Sequence, residues 1–284
     1  MTEAALAWAA ERLGGPIADV RPLLGGQTST MLALTEASGA RAVLRLIDRE
    51  PWRHRGDELA GREAQVLRQL AGSGVPAPRS LALDAAGAHC GVAAHLMALL
   101  PGAVDTDRVS ESDLDQLAGA LATIHDIRVD PMPRTYQPWA FEAKYVVPTW
   151  SAHPGAWAHA FAVLRRGAPS YEPAFLHRDP HLRNVLWDGS TLSGVVDWVE
   201  TSTGPAWLDV AHCRTNLAVD HGSDVADAFA AAYVERTSRD PAPYWDLLDA
   251  VGFLPPPGVT HFSSDPARLA RLDDHLAMLV ERGS

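Results

Sequence analysis

An eight-residue polar segment constrains the fold of this chain more than any other part of its 284 residues. Residues 177–184 (HRDPHLRN) place an aspartate and an asparagine five positions apart, so a carboxylate and an amide oxygen can face a shared space from one short loop. Residues 195–198 (VVDW) follow, with two β-branched apolar residues before an aspartate. We expect this run to form a short buried strand that ends in a metal-binding carboxylate.

The residue types in these two segments suit the transfer of a phosphoryl group. That reaction needs a group that orients the attacking hydroxyl and accepts its proton, and metal ions that neutralise charge on the phosphates. Asp179 is the candidate for the first role, and Asn184 and Asp197 are the candidates for the second. The sequence therefore predicts a catalytic base and a magnesium site in this part of the chain.

The same residues give the chain its likeness to a known family. The likeness is carried by residues 175–187 (FLHRDPHLRNVLW), residues 193–198 (SGVVDW), and Gly204-Pro205 with residues 208–211 (LDVA). With these blocks the chain resembles the aminoglycoside phosphotransferase family, which has a protein-kinase-like fold. A weaker likeness extends upstream, so the resemblance covers most of the chain.

The resemblance implies a fold and a set of roles. The fold would be α/β (α+β) and two-lobed, with a small antiparallel sheet in the N-terminal lobe and a mainly helical C-terminal lobe. Asp179 would be the catalytic base, Asn184 and Asp197 would hold Mg²⁺, and Asp209 would brace the catalytic loop. The co-substrate would be ATP or GTP, and the acceptor would be a hydroxyl of an aminoglycoside-like or other cationic small molecule.

Turn-forming residues divide the chain into two predicted lobes. Pro101-Gly102 marks the boundary, which gives a nucleotide-binding lobe over residues 1–100 and a catalytic and substrate-binding lobe over residues 101–284. Short apolar runs, among them residues 42–46, predict the strands of the first lobe. A capping-box pattern predicts a helix over residues 111–125 at the start of the second.

Arg45 and Glu63 form a predicted charge pair in the first lobe. In kinases a lysine on the corresponding strand pairs the phosphates and a glutamate on the next helix, and here Arg45 takes its place. Residues 57–71 carry a helical apolar stripe, and Glu63 lies four positions from both Leu59 and Leu67 on that face. An inward carboxylate needs a partner, so we expect Glu63 to pair with Arg45. The alternative is that Glu63 lies at the solvated edge of the stripe.

Two further segments are candidates to hold the nucleotide. Gly25 and Gly26 form a glycine turn that ends near Ser29, and the exposed amides and hydroxyls of such a turn can cover phosphates, although most such turns serve only to reverse the chain. By the family resemblance, the backbone groups of Met97, Ala98, Leu99 and Leu100 would read the adenine edge.

Acidic and aromatic residues of the second lobe are candidates for the acceptor site. Four acids can meet an amine, and each alone is more commonly a solvated helix residue: Glu200, Asp220, Asp224 and Asp227. Three tryptophans can line a ring pocket, although such residues more often belong to the core: Trp139, Trp150 and Trp157.

The charge of the chain is unevenly distributed. Residues 1–103 carry ten acidic and ten basic side chains, so the formal net charge of −11 falls on residues 104–284. Such acidity argues against nucleic acid as a partner and suits a cationic substrate. Of the 24 basic residues only Lys144 is a lysine, so a role that kinases give to lysine must fall to an arginine or to Lys144.

The remaining composition is that of an ordinary globular domain. The two cysteines, Cys90 and Cys213, have no metal-binding spacing and fit a reducing compartment. The N-terminus lacks the pattern of a signal peptide, and the apolar stretch over residues 91–100 is too short for a membrane span. We therefore expect a cytoplasmic protein with no membrane partner, and the sequence does not indicate an oligomeric state.

Three alternatives to such a kinase of cationic compounds stay open at this point. The nearest is a kinase of a sugar or amino-alcohol metabolite. A metal-dependent hydrolase would use His177, Asp179 and His181 as ligands, but the other histidines are scattered singly. A nucleotide-binding protein without turnover is disfavoured, because Asp179, Asn184 and Asp197 are all present.

Overall fold

The computed structural model describes residues 2–23, 29–128 and 134–283. Its helices are α1 Thr2–Leu13, α2 Gly56–Leu70, α3 Glu111–His125, α4 Pro154–Leu164, α5 Ala206–His221, α6 Ser223–Thr237, α7 Pro243–Gly252 and α8 Pro266–Arg282. Its strands are β1 Ile17–Leu23, β2 Thr30–Glu36, β3 Arg41–Leu46, β4 Ser80–Asp84, β5 Ala94–Ala98, β6 Pro173–Leu176, β7 Val185–Asp188, β8 Thr191–Val195 and β9 Ser202–Pro205.

Contacts within the chain divide it into two compact units. The N-terminal unit runs to Asp105 and also takes in Arg183–Val199, whereas the C-terminal unit holds Thr106–Leu182 and the residues from Glu200 onward. The residues Arg183–Val199 thus group with the nucleotide-binding lobe expected from sequence rather than with the catalytic lobe. Asp179 and Asn184, close in sequence, therefore belong to different units.

The N-terminal unit is built on an antiparallel sheet of strand order β1-β2-β3-β5-β4. Leu32 and Leu34 alternate with more exposed positions along β2, so one face of this strand is apolar. That face joins Trp8 of α1 and Leu96 of β5 in one buried cluster. On α2, Leu59 joins a second cluster with Ile47, as its helical stripe predicts.

The hairpin β7-β8 belongs to the same unit and is fixed to it at two points. Val195 N–H donates to the carbonyl of Pro76 at 2.8 Å, and Ala103 and Trp187 exchange two backbone hydrogen bonds of 2.8 and 3.0 Å. Gly102, beside Ala103, has φ of 91°, and a Cβ there would lie 2.5 Å from the Trp187 carbonyl oxygen. Only glycine fits this position without a shift of the backbone.

The C-terminal unit is mainly helical and contains the short pair β6-β9. The predicted capping box is present, because the Ser110 hydroxyl accepts from Asp113 N–H and the Asp113 carboxylate accepts from Ser110 N–H. The core holds the large side chains Trp157, Phe175, Phe229, Tyr233 and Trp245. Trp157 also donates its indole N–H to Asp273 at 2.7 Å, so this tryptophan is a core residue.

Two further features concern the cysteines and the helices. Cys90 and Cys213 are buried thiols without a disulfide bond, and burial raises the pKa of each. None of the helices in the described part of the chain is both long and apolar enough to cross a membrane.

Candidate active site

Arg45 is the charged centre of the N-terminal unit. It lies on β3 opposite Met31 of β2 and His95 of β5, and only 4% of its surface is exposed. Its Nη1 lies 3.1 Å from Glu63 Oε1 and 2.9 Å from Asp197 Oδ1. Burial lowers the pKa of Arg45, but the two carboxylates outweigh it and raise this pKa. One guanidinium thus holds a helix carboxylate and the Asp197 carboxylate together.

Glu63 is buried on α2 and has a second partner that the sequence did not suggest. Its Oε2 lies 2.8 Å from His95 Nδ1, and the other ring nitrogen of His95 lies 2.9 Å from the Ser80 hydroxyl. Burial raises the pKa of Glu63, but the Arg45 charge and the His95 hydrogen bond hold it below its ordinary value. The prediction that Glu63 points inward and pairs with Arg45 is confirmed, and the solvated-edge alternative is wrong.

Asp197 follows β8 in an uncommon backbone conformation. Its φ is 67°, in the left-handed region, which costs a non-glycine residue energy and persists only where the surroundings enforce it. The next residue, Trp198, is buried and donates its indole N–H to the Val195 carbonyl at 2.9 Å. The Asp197 side chain is 31% exposed. Its carboxylate is therefore paired with Arg45 and is also accessible at the surface of the unit.

Asn184 lies at the end of the short 3-10 turn Leu182–Asn184, directly before β7. Its carbonyl oxygen accepts from Val196 N–H at 2.9 Å, which ties this turn to the residue before Asp197. Carboxylate and amide oxygens are the hard donors that Mg²⁺ prefers. Asn184 and Asp197 therefore supply, within one unit, the donor types that suit Mg²⁺.

Asp209 organises the segment that leads to Asp179 in the C-terminal unit. Its Oδ2 accepts from His177 N–H at 2.8 Å, and its Oδ1 accepts from Arg178 N–H at 2.9 Å. His125 Nε2 lies 3.3 Å from the same carboxylate. Burial raises the pKa of Asp209, but its partner His125 and the nearby charges outweigh it and lower this pKa. The bracing role that the family resemblance implied for Asp209 is confirmed.

Asp179 carries its carboxylate at the end of this braced segment. Its N–H donates to His177 Nδ1 at 3.3 Å, and the preceding Arg178 has φ of 79°. Asp179 Oδ1 lies 3.0 Å from His212 Nε2 and 3.6 Å from His181 Nε2, and the side chain is 30% exposed. Burial raises the pKa of Asp179, but both histidines outweigh it and hold this pKa well below its usual range. The carboxylate is therefore ionised and can accept a hydrogen bond from a hydroxyl.

His212 and Asp249 are the residues near Asp179 that sequence reasoning missed. His212 is buried on α5, and its Nδ1 lies 3.0 Å from Asp249 Oδ1 on α7. The Trp139 ring meets the His212 ring edge-on, with centroids 4.8 Å apart. The sequence carried one weak indication that His212 belongs to the site, because it follows Asp209 by three positions and so lies on the same face of the helix. Nothing in the sequence marked Asp249.

Five of the other seven residues predicted to bind the nucleotide lie in the described part of the chain. Gly25 and Gly26 fall outside the described residues. Ser29 is buried, and its hydroxyl has no hydrogen-bond partner among the residues described. At the predicted hinge, Met97 is buried and Leu100 is half-buried. Ala98 N–H donates to the Arg79 carbonyl at 2.9 Å, and Leu99 N–H lies 3.5 Å from the Arg41 carbonyl oxygen.

Three of the four acids proposed to meet a cationic acceptor have arginine partners. Glu200 pairs with Arg134, Asp220 lies 2.8 Å from Arg268, and Asp227 lies 2.6 Å from Arg214 and 2.8 Å from Arg282, whereas Asp224 is exposed. These ion pairs offset much of the acidity that the sequence had suggested for an acceptor site.

The ligand set for a metal-dependent hydrolase does not assemble. Within residues 2–23, 29–128 and 134–283, no group of three or more His, Cys, Asp or Glu side chains is placed to hold a metal ion. His177 instead accepts the backbone hydrogen bond of Asp179. The His177 ring therefore binds the local backbone through Nδ1.

A model of the phosphotransferase enzyme family matches residues 19–246, which is most of the chain. The chain belongs to this family. It is accordingly a phosphotransferase, as the motif over residues 177–184 had led us to expect. No curated protein sequence matches the chain.

Solved structures support the same fold. The chain resembles a protein from Ralstonia eutropha JMP134 described as an aminoglycoside phosphotransferase, with 18% identity, a TM-score of 0.72, and coverage of 99% of this chain and 98% of that one. It resembles aminoglycoside phosphotransferase APH(4)-Ia in ternary complex with ADP and hygromycin B, at 16% identity, TM-score 0.66 and 99% coverage of both chains. It also resembles macrolide 2'-phosphotransferase MphH from Brachybacterium faecium, at 17% identity, TM-score 0.59 and coverage of 88% and 91%. The kinase-like α/β fold predicted from sequence is confirmed.

Proposed function

We propose that this enzyme transfers the γ-phosphoryl group of ATP or GTP to a hydroxyl of a small molecule, with Asp179 as the catalytic base. The observation that carries the proposal is the Asp179 carboxylate, which is ionised, partly exposed and held on a segment that Asp209 braces. A hydroxyl that donates to this carboxylate is oriented for attack and can pass its proton to it.

The N-terminal unit supplies the groups for the nucleotide in this proposal. Asn184 and Asp197 would hold Mg²⁺, which when bound neutralises charge on the phosphates. Arg45 would support the phosphates while it keeps its pairs with Glu63 and Asp197, because a guanidinium has several donors. Gly25, Gly26 and Ser29 would cover the phosphates, and the backbone of Met97, Ala98, Leu99 and Leu100 would receive the base.

An aminoglycoside-like or other cationic compound is the acceptor class we propose. Support comes from APH(4)-Ia, whose structure contains hygromycin B, and from the net charge of −11, all of it in residues 104–284. The arginine partners of Glu200, Asp220 and Asp227 weigh against a site of many unpaired acids. We therefore expect an acceptor with one or a few protonated amines rather than a dense polycation. Action on an antibiotic would make the enzyme a resistance factor.

A screen of nucleotide consumption tests the activity. ATP and GTP are each offered with amine-bearing antibiotics, uncharged macrolides, sugars and amino alcohols, and phosphorylated products are identified by mass spectrometry. Asp179→Asn serves as the control, and we expect it to bind nucleotide normally while turnover falls by about 10²- to 10⁴-fold. Near-normal turnover in this variant would remove Asp179 from the mechanism. A best acceptor among the sugars or amino alcohols would point to metabolism.

The salt dependence of acceptor binding tests the acceptor class. The screening length falls from about 10 Å at 0.1 M salt to about 3 Å at 1 M, so a site that attracts a cation from a distance loses affinity as salt is added. We expect the KM of a cationic acceptor to rise with salt more than that of its neutral analogue. An equal response of the two, or a best acceptor without an amine, would contradict the cationic assignment and leave the kinase activity standing.

A further inference from the structure

We propose that His212 and Asp249 form a positioning pair for Asp179, in which a doubly protonated His212 holds one oxygen of the Asp179 carboxylate. The proposal rests on the proposed function, since it assigns a role in the same reaction. Neither residue belongs to the motif over residues 177–184, and all three lie in the C-terminal unit.

The geometry requires a proton on each nitrogen of the His212 ring. Nε2 lies 3.0 Å from Asp179 Oδ1, and Nδ1 lies 3.0 Å from Asp249 Oδ1. A neutral imidazole has one N–H, so one of the two carboxylates would face a nitrogen lone pair at hydrogen-bond distance. Only the imidazolium donates to both.

The surroundings of His212 agree with this charge state. Burial lowers the pKa of His212, but the Asp249 and Asp179 carboxylates outweigh it and raise this pKa to about 9. His181 is a second ring near Asp179, with its centroid 6.2 Å from that of His212. The amide nitrogen of Asn216 lies 3.1 Å from Nε2, and one of its two N–H groups donates to the His212 carbonyl at 3.0 Å, so this bond forms without Nε2.

Other charged groups around the pair come from several elements. Arg178 stacks its guanidinium on the Trp139 ring, with the two 3.8 Å apart, and interacts electrostatically with Asp249, Asp179, Asp209 and Glu200. Lys144 donates to the Gly252 carbonyl at 2.7 Å and interacts electrostatically with Asp249. The apolar side of His212 is covered by the rings of Trp139 and Phe253, which limit the access of water. The imidazolium thus lies among carboxylates in a largely dry environment.

The pair would act on the reaction through Asp179. A carboxylate can accept hydrogen bonds at both oxygens, so the acceptor hydroxyl can donate to Asp179 while His212 holds Oδ1 in place. In the transfer, the acceptor oxygen bonds to the γ-phosphorus, the bond from phosphorus to the bridging oxygen breaks, its electrons remain on the nucleoside diphosphate, and the hydroxyl proton passes to Asp179. A weak base is sufficient because bond formation to the acceptor is little advanced in the transition state. His212 therefore serves orientation and takes no proton.

The charge of His212 sets an upper pH limit. As the pH rises through about 9, His212 loses a proton, one carboxylate then faces a lone pair, and Asp179 loses its orientation. We expect kcat to fall in this range. Because the pKa is raised above its ordinary value of 6.5, the contribution to stability is complete below about pH 6.5 and is lost as the pH rises through about 9.

Two variants and one direct titration test the pair. Asp249→Asn keeps the contact between His212 and Asp179 but removes one carboxylate, so the alkaline limit of kcat should move down by about 1–3 pH units. His212→Gln keeps a donor without the charge, so it should abolish the limit and lower kcat by about 10²-fold, the cost of a misplaced reacting group. His275→Gln is the matched control, since His275 is also buried but does not contact Asp179. It should leave the pH limit unchanged.

Titration of the His212 ring by NMR, with assignment from the His212→Gln spectrum, gives a readout independent of turnover. A pKa of about 9 that falls in both Asp249→Asn and Asp179→Asn supports the pair, and a pKa of 6.5 or below overturns it even if either variant fails to fold. If the wild-type titration shows the raised pKa but no acceptor is phosphorylated, the proposed function fails and the charged pair stands. An alkaline limit that is unmoved in a folded Asp249→Asn variant also overturns the proposal.

Discussion

Replacement of Arg45 by methionine tests the charge pair at the centre of the N-terminal unit. The change keeps a long apolar side chain and leaves Glu63 buried without its arginine, with the His95 ring and the Trp198 backbone as remaining partners. Removal of one partner of a buried ion pair costs about 3–5 kcal/mol. We expect about 3 kcal/mol, because His95 still donates to Glu63 and Asp197 is partly exposed.

Urea unfolding of the single and double variants measures this coupling. Glu63→Gln should cost less than Arg45→Met, because Arg45 keeps its pair with Asp197. The variant that carries both changes should be more stable than the sum of the single effects by about 0.5–3 kcal/mol, as expected for residues in contact. Arg55→Met is the control, since its pair with Glu58 lies at the surface of the same unit, and it should leave the midpoint unchanged.

Nucleotide titrations connect this pair to function. Arg45→Ala should raise the concentration of magnesium nucleotide needed for half-maximal rate. Arg45→Lys should recover part of the loss, because an ammonium restores the charge but not the two-pronged geometry. Strictly additive free energies for Arg45→Met and Glu63→Gln would refute the coupling, and a nucleotide titration of Arg45→Ala equal to that of wild type would refute the nucleotide role.

Two further predictions concern the aspartates. Asp197→Ala should weaken the binding of magnesium nucleotide as well as turnover, and unchanged binding in calorimetry would assign Asp197 to structure alone. Asp209→Asn should destabilise the protein by about 1–3 kcal/mol, because an amide replaces one of the two oxygens that accept from His177 and Arg178. Hydrogen exchange of those two amides should accelerate, and full protection in the variant would contradict the bracing role.

The sequence predicted those parts of the site that depend on local order. The helical stripe of α2 placed Glu63 inward, where the structure has it. The pairing of Glu63 with Arg45 followed from physics, because a buried carboxylate needs a cation and the preceding strand offered one.

What the sequence could not predict depends on packing between distant segments. His95 reaches Glu63 because β5 pairs with β3 in a register that the sequence does not reveal. Asp249 lies 37 positions from His212, and the two meet only because α5 and α7 pack together. Three of the four acids proposed for the acceptor site have arginine partners for the same reason. The sequence shows how many charged side chains the chain has. Which of them form ion pairs depends on which helices pack together.

The presence of arginine rather than lysine at position 45 also limits which chemical probes can label this protein. The Arg45 guanidinium stays protonated at any pH the protein meets, so it offers no amine nucleophile to an acylating agent. Lys144 is the sole lysine and lies in the C-terminal unit, half-buried against the Gly252 carbonyl. An acyl-phosphate nucleotide that marks kinases by modifying a lysine beside the phosphates would find none in the N-terminal unit. If the chain binds a nucleotide as we propose, a survey by that chemistry would therefore overlook it.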